Sequence, residues 1–343
     1  MTAIDILRAA QEERWLDSER RLVFHPPRMA SPYIIVAGTG ETRFPRPTTD
    51  DAVSYLPEGS SLRRFNPDLD VLIHMPTTEI AITENAHVLG GRHVRLIGGK
   101  LIRSATMTSM IAFELQTGSV FIEGMYLDVA GGECDAMAVR WDQGVADEAG
   151  ILRTTHAGII VQHCLMEGID GVSGGVHGDA LQNQTGIDQG IDFIRVENVT
   201  FESTYQGIFP LNGTTAGPDE GPAQGLWLRR VNSRDYVAGA EELISYWFHN
   251  GDVTARSSNL YPIHLDQVYA GDPQSALWQD SATIPNDAYD WGPTLDTDAE
   301  GDFLDFSALG LQITGKVRRG QPPGGDFANA ASVGLNYHSP WPV

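Results

Sequence analysis

The sequence is short of cysteine, of basic residues and of long apolar runs, and each shortage excludes a class of protein. It contains two cysteines, Cys134 and Cys164, which are too few for a disulfide framework or a zinc site. Its 23 Lys and Arg are outnumbered by 45 Asp and Glu, so the formal net charge is −22. Because nucleic-acid binding needs a basic face that displaces phosphate counterions, we expect no nucleic-acid partner.

Membrane insertion is not expected either, because no apolar run approaches the roughly 20 residues that cross a bilayer. The first residues lack the basic start and the uninterrupted apolar stretch of a signal peptide, which predicts synthesis in the cytoplasm without a secretion signal. Residues 3–17 instead predict an amphipathic helix, since Ile4, Leu7 and Ala10 share one face. Residues 25–75 are rich in proline and predict an irregular segment.

What the sequence does contain is many short apolar runs separated by Gly, Asn, Thr and Ser, which is typical of short strands joined by turns. Six segments share an eight-residue pattern whose first and third positions are apolar, as in a strand with one buried face. The sixth and eighth positions are mostly apolar too, so a corner is needed at the fifth, where Gly, Asn or His tolerates a left-handed backbone. The segments begin at Val94, Val120, Ile159, Ile194, Leu226 and Val253, and their fifth residues are Gly98, Gly124, His163, Asn198, Arg230 and Ser257.

A second apolar strand precedes the motifs, and a third is expected just after each motif. The second strands are Ile111–Leu115, Met137–Trp141, Ala180–Gln184, Ile208–Leu211 and Leu243–Phe248. No single coil of this kind can bury its inner face, so stacked coils would share one continuous core. Cys164 falls at an inward position of this repeat, so we expect its side chain to be buried.

The predicted fold is therefore all-β, a right-handed parallel β-helix (a solenoid) over residues 76–265. Residues 1–75 would supply an N-terminal capping helix and an irregular segment. Residues 266–343 would form an irregular C-terminal segment that closes the end or makes oligomer contacts. The alternative is an antiparallel sandwich, which predicts frequent Asn-Gly hairpins. The sequence has only two such pairs, Asn212-Gly213 and Asn250-Gly251, so the β-helix is favoured.

The alternating repeat with its Gly or Asn corner resembles the pectate-lyase-like right-handed β-helix superfamily over residues 76–265. That superfamily includes polysaccharide lyases, glycoside hydrolases and bacteriophage tailspikes. The resemblance implies a polysaccharide as partner and, for the tailspike type, a homotrimer on a virion or released particle. It specifies the fold better than the function, because sites are grafted onto folds.

The most distinctive polar string is His177-Gly-Asp179-Ala-Leu-Gln182, which resembles strings that line the polymer groove in lyase-like β-helices. Its alternative role is local, because His and Asp side chains also satisfy backbone groups of turns. Neighbouring coils should add outward groups on the same wall, since strands lie about 4.8 Å apart. The candidate catalytic residues are His177, Asp179, Arg140 and Asp142, and the candidate substrate-binding residues are Glu114, Gln182, Gln184, Asn212, Tyr246 and His249.

Three uses of such a strip stay open. A lyase could use His177 as its base and Arg140 to neutralise a uronate carboxylate. A hydrolase could use a carboxyl pair such as Asp142 and Asp179, or Glu114 and Asp142. A binding wall would need no chemistry, with Tyr246 as a platform for a sugar ring. The function expected first is a glycan-binding spike, with a lyase or hydrolase and a non-catalytic bacterial adhesin as alternatives.

One acidic loop resembles the first half of a calcium loop, with Asp296, Asp298 and Glu300 supplying oxygens before Gly301. The twelfth position is Ser307, so the bidentate Glu of that loop is missing. A solvated acidic loop is the alternative interpretation. Ca²⁺ is therefore the one cofactor that the sequence suggests.

Overall fold

A computed structural model describes fourteen stretches of the chain. The described residues are 34–35, 42–43, 52–55, 62–66, 68–141, 157–171, 178–185, 191–204, 206–210, 225–234, 244–249, 262–271, 277–279 and 313–340. These residues form an all-β structure, and the one helical element among them is a 3-10 turn at Gly334–Asn336. Within the same residues, no helix is long and apolar enough to span a membrane.

Among the described residues, eight parallel strands form one sheet, which we call sheet A. Each strand pairs in parallel with the next one along the chain that belongs to this sheet. The strands are Leu62–Phe65, Ala86–Gly90, Ser109–Glu114, Asp135–Trp141, Leu181–Thr185, Gln206–Phe209, Ile244–His249 and Leu277–Gln279.

Fourteen further strands form a second sheet, whose pairings fall into two rows, B and C. Three long strands take part in both rows: Ile191–Ser203, Gly225–Arg234 and Ile263–Ala270. The other strands of row B are Ala52–Tyr55, Val71–His74, Val94–Ile97, Val120–Glu123, Ala157–Gln162 and Ile313–Thr314. Those of row C are Ile80–Ile82, Lys100–Arg103, Tyr126–Glu133, Leu165–Asp170 and Val317–Arg319. A separate antiparallel pair joins Ile34–Ile35 to Thr42–Arg43.

Along the chain, the order A, B, C recurs eight times between Leu62 and Arg319. Each passage is one repeat, and corresponding strands of successive repeats are neighbours. The predicted register is confirmed for the first five motifs, whose first residues are aligned from Val94 to Leu226. The sixth motif was placed wrongly, because Leu226 is aligned with Ile263. The segment from Val253, with Ser257, lies outside the described residues, and residues 263–270 repeat the same apolar pattern.

The predicted corner is also confirmed. Gly98, Gly124, His163, Asn198 and Arg230 all have positive φ, between 51° and 73°. Gln267 takes the same conformation at 57° in the following repeat. A positive φ costs about 1–2 kcal/mol in a residue with a Cβ, so stacking must hold Arg230 and Gln267 there. At one step of this stack, the Asn198 amide nitrogen lies 3.0 Å from His163 Nε2.

The main core is formed by the inward-facing side chains of all three strand sets. It includes both the first and third motif positions and Cys164, whose predicted burial is confirmed. Burial raises the pKa of the Cys164 thiol to about 12, so this side chain behaves as a small hydrophobe. A second buried cluster lies on the other side of row B, formed by Leu72, Ile97, Phe121, Ile160, Phe193 and Trp227. The outer face of row B is therefore buried as well.

Residues 320–340, which we call the C-terminal strap, run back across the repeats on the outside of rows B and C. Gly320 N donates to Ala270 O in the seventh repeat, and Gly99 N in the second repeat donates to Gly334 O. Between them, Ala328 N donates to Thr200 Oγ1 over 3.0 Å. The strap therefore ties together repeats that are distant in sequence.

Paired strands extend beyond residues 76–265 in both directions. Ala52–Tyr55 precedes this range, and Leu277–Gln279, Ile313–Thr314 and Val317–Arg319 follow it. These strands have two to four residues, which is too short for alternation to stand out from a Pro-rich or Asp-rich background. The expected capping helix at residues 3–17 lies outside the described residues.

Candidate functional site

Three positions of the predicted strip lie in one row across sheet A. Glu114 is aligned with Arg140, and Arg140 with Gln184, on three neighbouring strands. Parallel strands lie about 4.8 Å apart, so these positions follow one another as the sequence predicted. The side chain of Glu114 is half-buried; those of Arg140 and Gln184 lie outside the described residues. Gln182 is also half-buried and is aligned with Ala138 and Phe209 in an adjacent row.

Tyr246 does not lie on the outer wall, so its predicted role as a sugar platform is wrong. Its ring is fully buried and meets Phe201 edge to face. Its hydroxyl donates to Tyr269 O over 2.7 Å. Tyr246 is aligned with the core residue Ile208, and an offset of one residue in a strand exchanges its two faces. Burial therefore raises the pKa of Tyr246 well above its usual value.

Asp179 is also buried, which contradicts its expected contact with a polymer on the wall. It stands beside Asp135, two residues before the aligned pair Met137 and Leu181. Asp179 N donates to Asp135 Oδ1 over 3.2 Å, and Ser109 Oγ donates to Asp135 Oδ2 over 3.1 Å. Burial, and then the charge of Asp135, raises the pKa of Asp179 well above its usual value. The carboxyl group of Asp179 therefore lies inside the structure, next to Asp135.

The remaining candidates stay predictions. Asp142, His177, Asn212 and the acidic loop of Asp296, Asp298 and Glu300 lie outside the described residues, as does the side chain of His249. In the part of the chain that is described, no group of three or more His, Cys, Asp or Glu could hold a metal ion. That finding does not apply to the proposed Ca²⁺ loop, because the loop lies outside the described residues.

Sequence reasoning missed a polar network on the outer face of row C. Tyr126 OH donates to Glu167 Oε2, and Arg234 forms ion pairs with Glu167 and with Asp326 of the strap. Burial, and then Glu167, raises the pKa of the neighbouring Glu202. The signal was present at the ninth motif position, where Asp128, Glu167, Glu202 and Arg234 recur in successive repeats.

The outer face of row B carries a different set of enclosed charges. The Arg195 guanidinium lies over the rings of Phe193 and Trp227, at 4.2 and 5.3 Å from their centroids. Glu197 is buried and forms an ion pair with Arg229 over 3.2 Å. Arg195 and Glu197 are buried, so these two charged side chains are enclosed by their neighbours on this face.

The strap satisfies the polar groups of rows B and C where it crosses them. Tyr337 OH and Ser339 Oγ both donate to the buried Glu123 carboxylate. The Asn232 amide donates to Asp326 Oδ1 over 2.8 Å. The described contacts of the strap are thus with rows B and C. On sheet A, two polar side chains, Glu114 and Gln182, are partly exposed on strands that lie two repeats apart.

In comparisons with known proteins, the chain matches no protein-family model, no curated protein and no solved structure.

Proposed function

We propose that this chain is a right-handed parallel β-helix of the pectate-lyase-like type that binds a polysaccharide along the outer face of sheet A. The recurring order of A, B and C strands supports the β-helix, as do their parallel pairing and the alignment of the first motif positions from Val94 to Leu226. The right hand is the one that nearly all parallel crossover connections adopt. The resemblance in the repeat and its corner supports the superfamily.

The observation that supports a polysaccharide as the ligand is the row of Glu114, Arg140 and Gln184 on three successive strands, with Gln182 beside it. A carboxylate, a guanidinium and amides offer both donors and acceptors, which suits the hydroxyls of sugars. Repetition at a fixed strand spacing suits a ligand that is itself a repeating chain. A net charge of −22 disfavours a densely anionic polymer, so we propose a neutral or sparsely charged glycan.

The tailspike resemblance extends the proposal to a homotrimeric spike of a phage or phage-like particle that recognises a cell-surface glycan. Mass photometry tests this extension directly. A mass of three chains supports the spike, and a clean monomer at assay concentration contradicts it while leaving glycan binding intact.

The binding proposal is tested by titrating the protein against a panel of capsular and cell-wall polysaccharides, using biolayer interferometry. Glu114→Gln and Gln182→Ala should each weaken binding about tenfold, because each removes a hydrogen bond to the ligand. Glu79→Gln is the matched control, since Glu79 is an exposed side chain that pairs with Lys100 of row C. Equal affinities for all three variants would reject sheet A as the binding wall.

The same samples show whether the bound polymer is cut. Ultraviolet absorbance reports unsaturated lyase products, and a reducing-end assay reports hydrolysis. Products that disappear in Arg140→Ala or His177→Gln would support the enzyme alternatives. Binding without products would support the spike or the non-catalytic adhesin.

A further inference from the structure

A buried pair of carboxyl groups lies where two neighbouring strands of sheet A begin. Asp135 begins the strand that carries Arg140, and Asp179 precedes the strand that carries Gln182 and Gln184. Asp179 is fully buried, and Asp135 is 3% exposed. Neither carboxyl oxygen of Asp179 has a hydrogen-bond partner among the described residues. An isolated buried carboxylate is strongly disfavoured, so the charge of this group must be removed.

The neighbouring elements supply no described cation to Asp179. Ser109, on the strand below, donates to Asp135, and Asp170 accepts Thr204 Oγ1 and Gly171 N. Cys134 is buried, with its thiol pKa raised to about 12, and the charge of Arg103 acts on that thiol. Gly178 O accepts Ser203 Oγ, and Ala180 N donates to Gly207 O. Asp135 is thus the charged group that acts on Asp179.

We propose that Asp179 keeps its proton in the folded protein and forms, with Asp135, a pH-sensitive latch between two neighbouring repeats of sheet A. The regulatory part of this inference rests on the proposed function. With the proton present, the pair carries one charge, and Asp135 holds the Asp179 backbone through the N–H to Oδ1 bond. Without it, two charges repel in a buried corner, and separation of strands 135–141 and 181–185 relieves the repulsion. That separation would displace Gln182 relative to Arg140.

The direction of the pH effect follows from linkage. The folded state keeps the Asp179 proton after the unfolded chain has lost it, so stability is highest at acidic pH and falls as pH rises. Over that window the unfolding constant should rise about tenfold per pH unit, and it should level off once Asp179 ionises in the folded state. Asp179 acts here as a positioning residue, not as a catalytic one.

The test is chemical unfolding of the full chain from pH 5 to 9 in the wild type and in Asp179→Asn. The Asn variant keeps the shape and removes the charge, so its profile should lack the proton-linked fall, and it should be the more stable protein at pH 8. Asp135→Asn is a second variant, which should reduce the fall because the repulsion is gone. An infrared band of a protonated carboxyl at pH 7 that is absent from Asp179→Asn would support the latch.

Three outcomes separate the latch from its alternatives. Identical profiles for the wild type and Asp179→Asn would overturn the proposal. The proposal would also be overturned if the fall in stability with pH disappeared in His177→Gln but persisted in Asp179→Asn. The titrating group would then be His177. If the unfolding profiles behave as expected but no glycan binds at any pH, the proposed function fails and the latch stands. If a glycan binds equally at all pH values, the coupling of the latch to the wall is overturned.

Discussion

Sheet A and row C are built by the same repeat, yet their outer faces differ: the strap contacts row C, and no described strap contact involves sheet A. On row C, Glu167 and Arg234 are tied to one another, and the strap adds Asp326 to the network. On sheet A, Glu114 and Gln182 are partly exposed on strands two repeats apart, in adjacent rows. Polar recurrence alone therefore does not identify a binding wall in such a structure. The wall that no described strap contact uses is the better candidate.

The strongest test of this contrast is at Gly124, where the strap meets the corner. A Cβ there would lie 2.0 Å from Cδ1 of Tyr337, and φ is 73°. We expect Gly124→Ala to lower the free energy of unfolding by about 2–4 kcal/mol, from a strained backbone and a displaced ring. At Gly98 the nearest atom is 3.8 Å away, so Gly98→Ala should cost only the backbone term of about 1–2 kcal/mol. Urea unfolding at one pH measures both.

Tyr337→Ala provides the control. In that background the ring is gone, so Gly124→Ala should cost about as much as Gly98→Ala. If Gly124→Ala lowered the free energy of unfolding as much in the Tyr337→Ala background as in the wild type, the strap would not lie against Gly124.

A smaller effect is expected at Asp326, the acid that joins the strap to row C. Its carboxylate accepts from Asn232 and pairs with Arg234, and both partners of this ion pair are about three-quarters buried. Asp326→Ala should therefore lower the free energy of unfolding by about 1–2 kcal/mol. Hydrogen exchange should become faster at residues 321–340, with sheet A unchanged. Equal acceleration in sheet A would contradict a local role.

The sequence predicted those parts of this arrangement that repeat. Apolar alternation located the strands and their register from Val94 to Leu226, because a one-residue slip would have exposed the core. The corner was found because it combines a phase change with residues that tolerate positive φ. Arg230 shows the limit of that rule, since neighbouring repeats impose the conformation on a residue that does not favour it.

The parts that depend on distant packing were not predictable. Tyr246 and Asp179 were expected to contact the ligand on the wall, and both are buried. The strap has no periodicity, so its contacts with Glu123 and Asn232, more than 80 positions away, left no local signal. All four residues of the proposed strip, Glu114, Arg140, Gln182 and Gln184, were named from the sequence. The strap that covers rows B and C could not be predicted from the sequence.

A still smaller effect concerns His264, which stacks on Trp227 on the outer face of row B with ring centroids 4.9 Å apart. Burial lowers the pKa of His264 below its usual value of about 6.5. The unfolded chain therefore binds a proton more readily, and stability should fall as pH drops below about 6.5. Because the side chain is half-exposed, we expect only about a few tenths of a kcal/mol after screening. His264→Gln should remove this component in urea titrations at pH 7 and pH 5.5.

Glu114 is expected to contribute little to stability, in contrast to Asp326. Glu114 is half-buried on sheet A, and Glu114→Gln preserves its size, so the free energy of unfolding should change by no more than about 0.5 kcal/mol. If the same variant also loses glycan affinity, its carboxylate serves the ligand and not the fold. A stability loss as large as that of Asp326→Ala would instead place Glu114 in a structural network. Sheet A would then resemble row C, and the argument for it as the binding wall would fail.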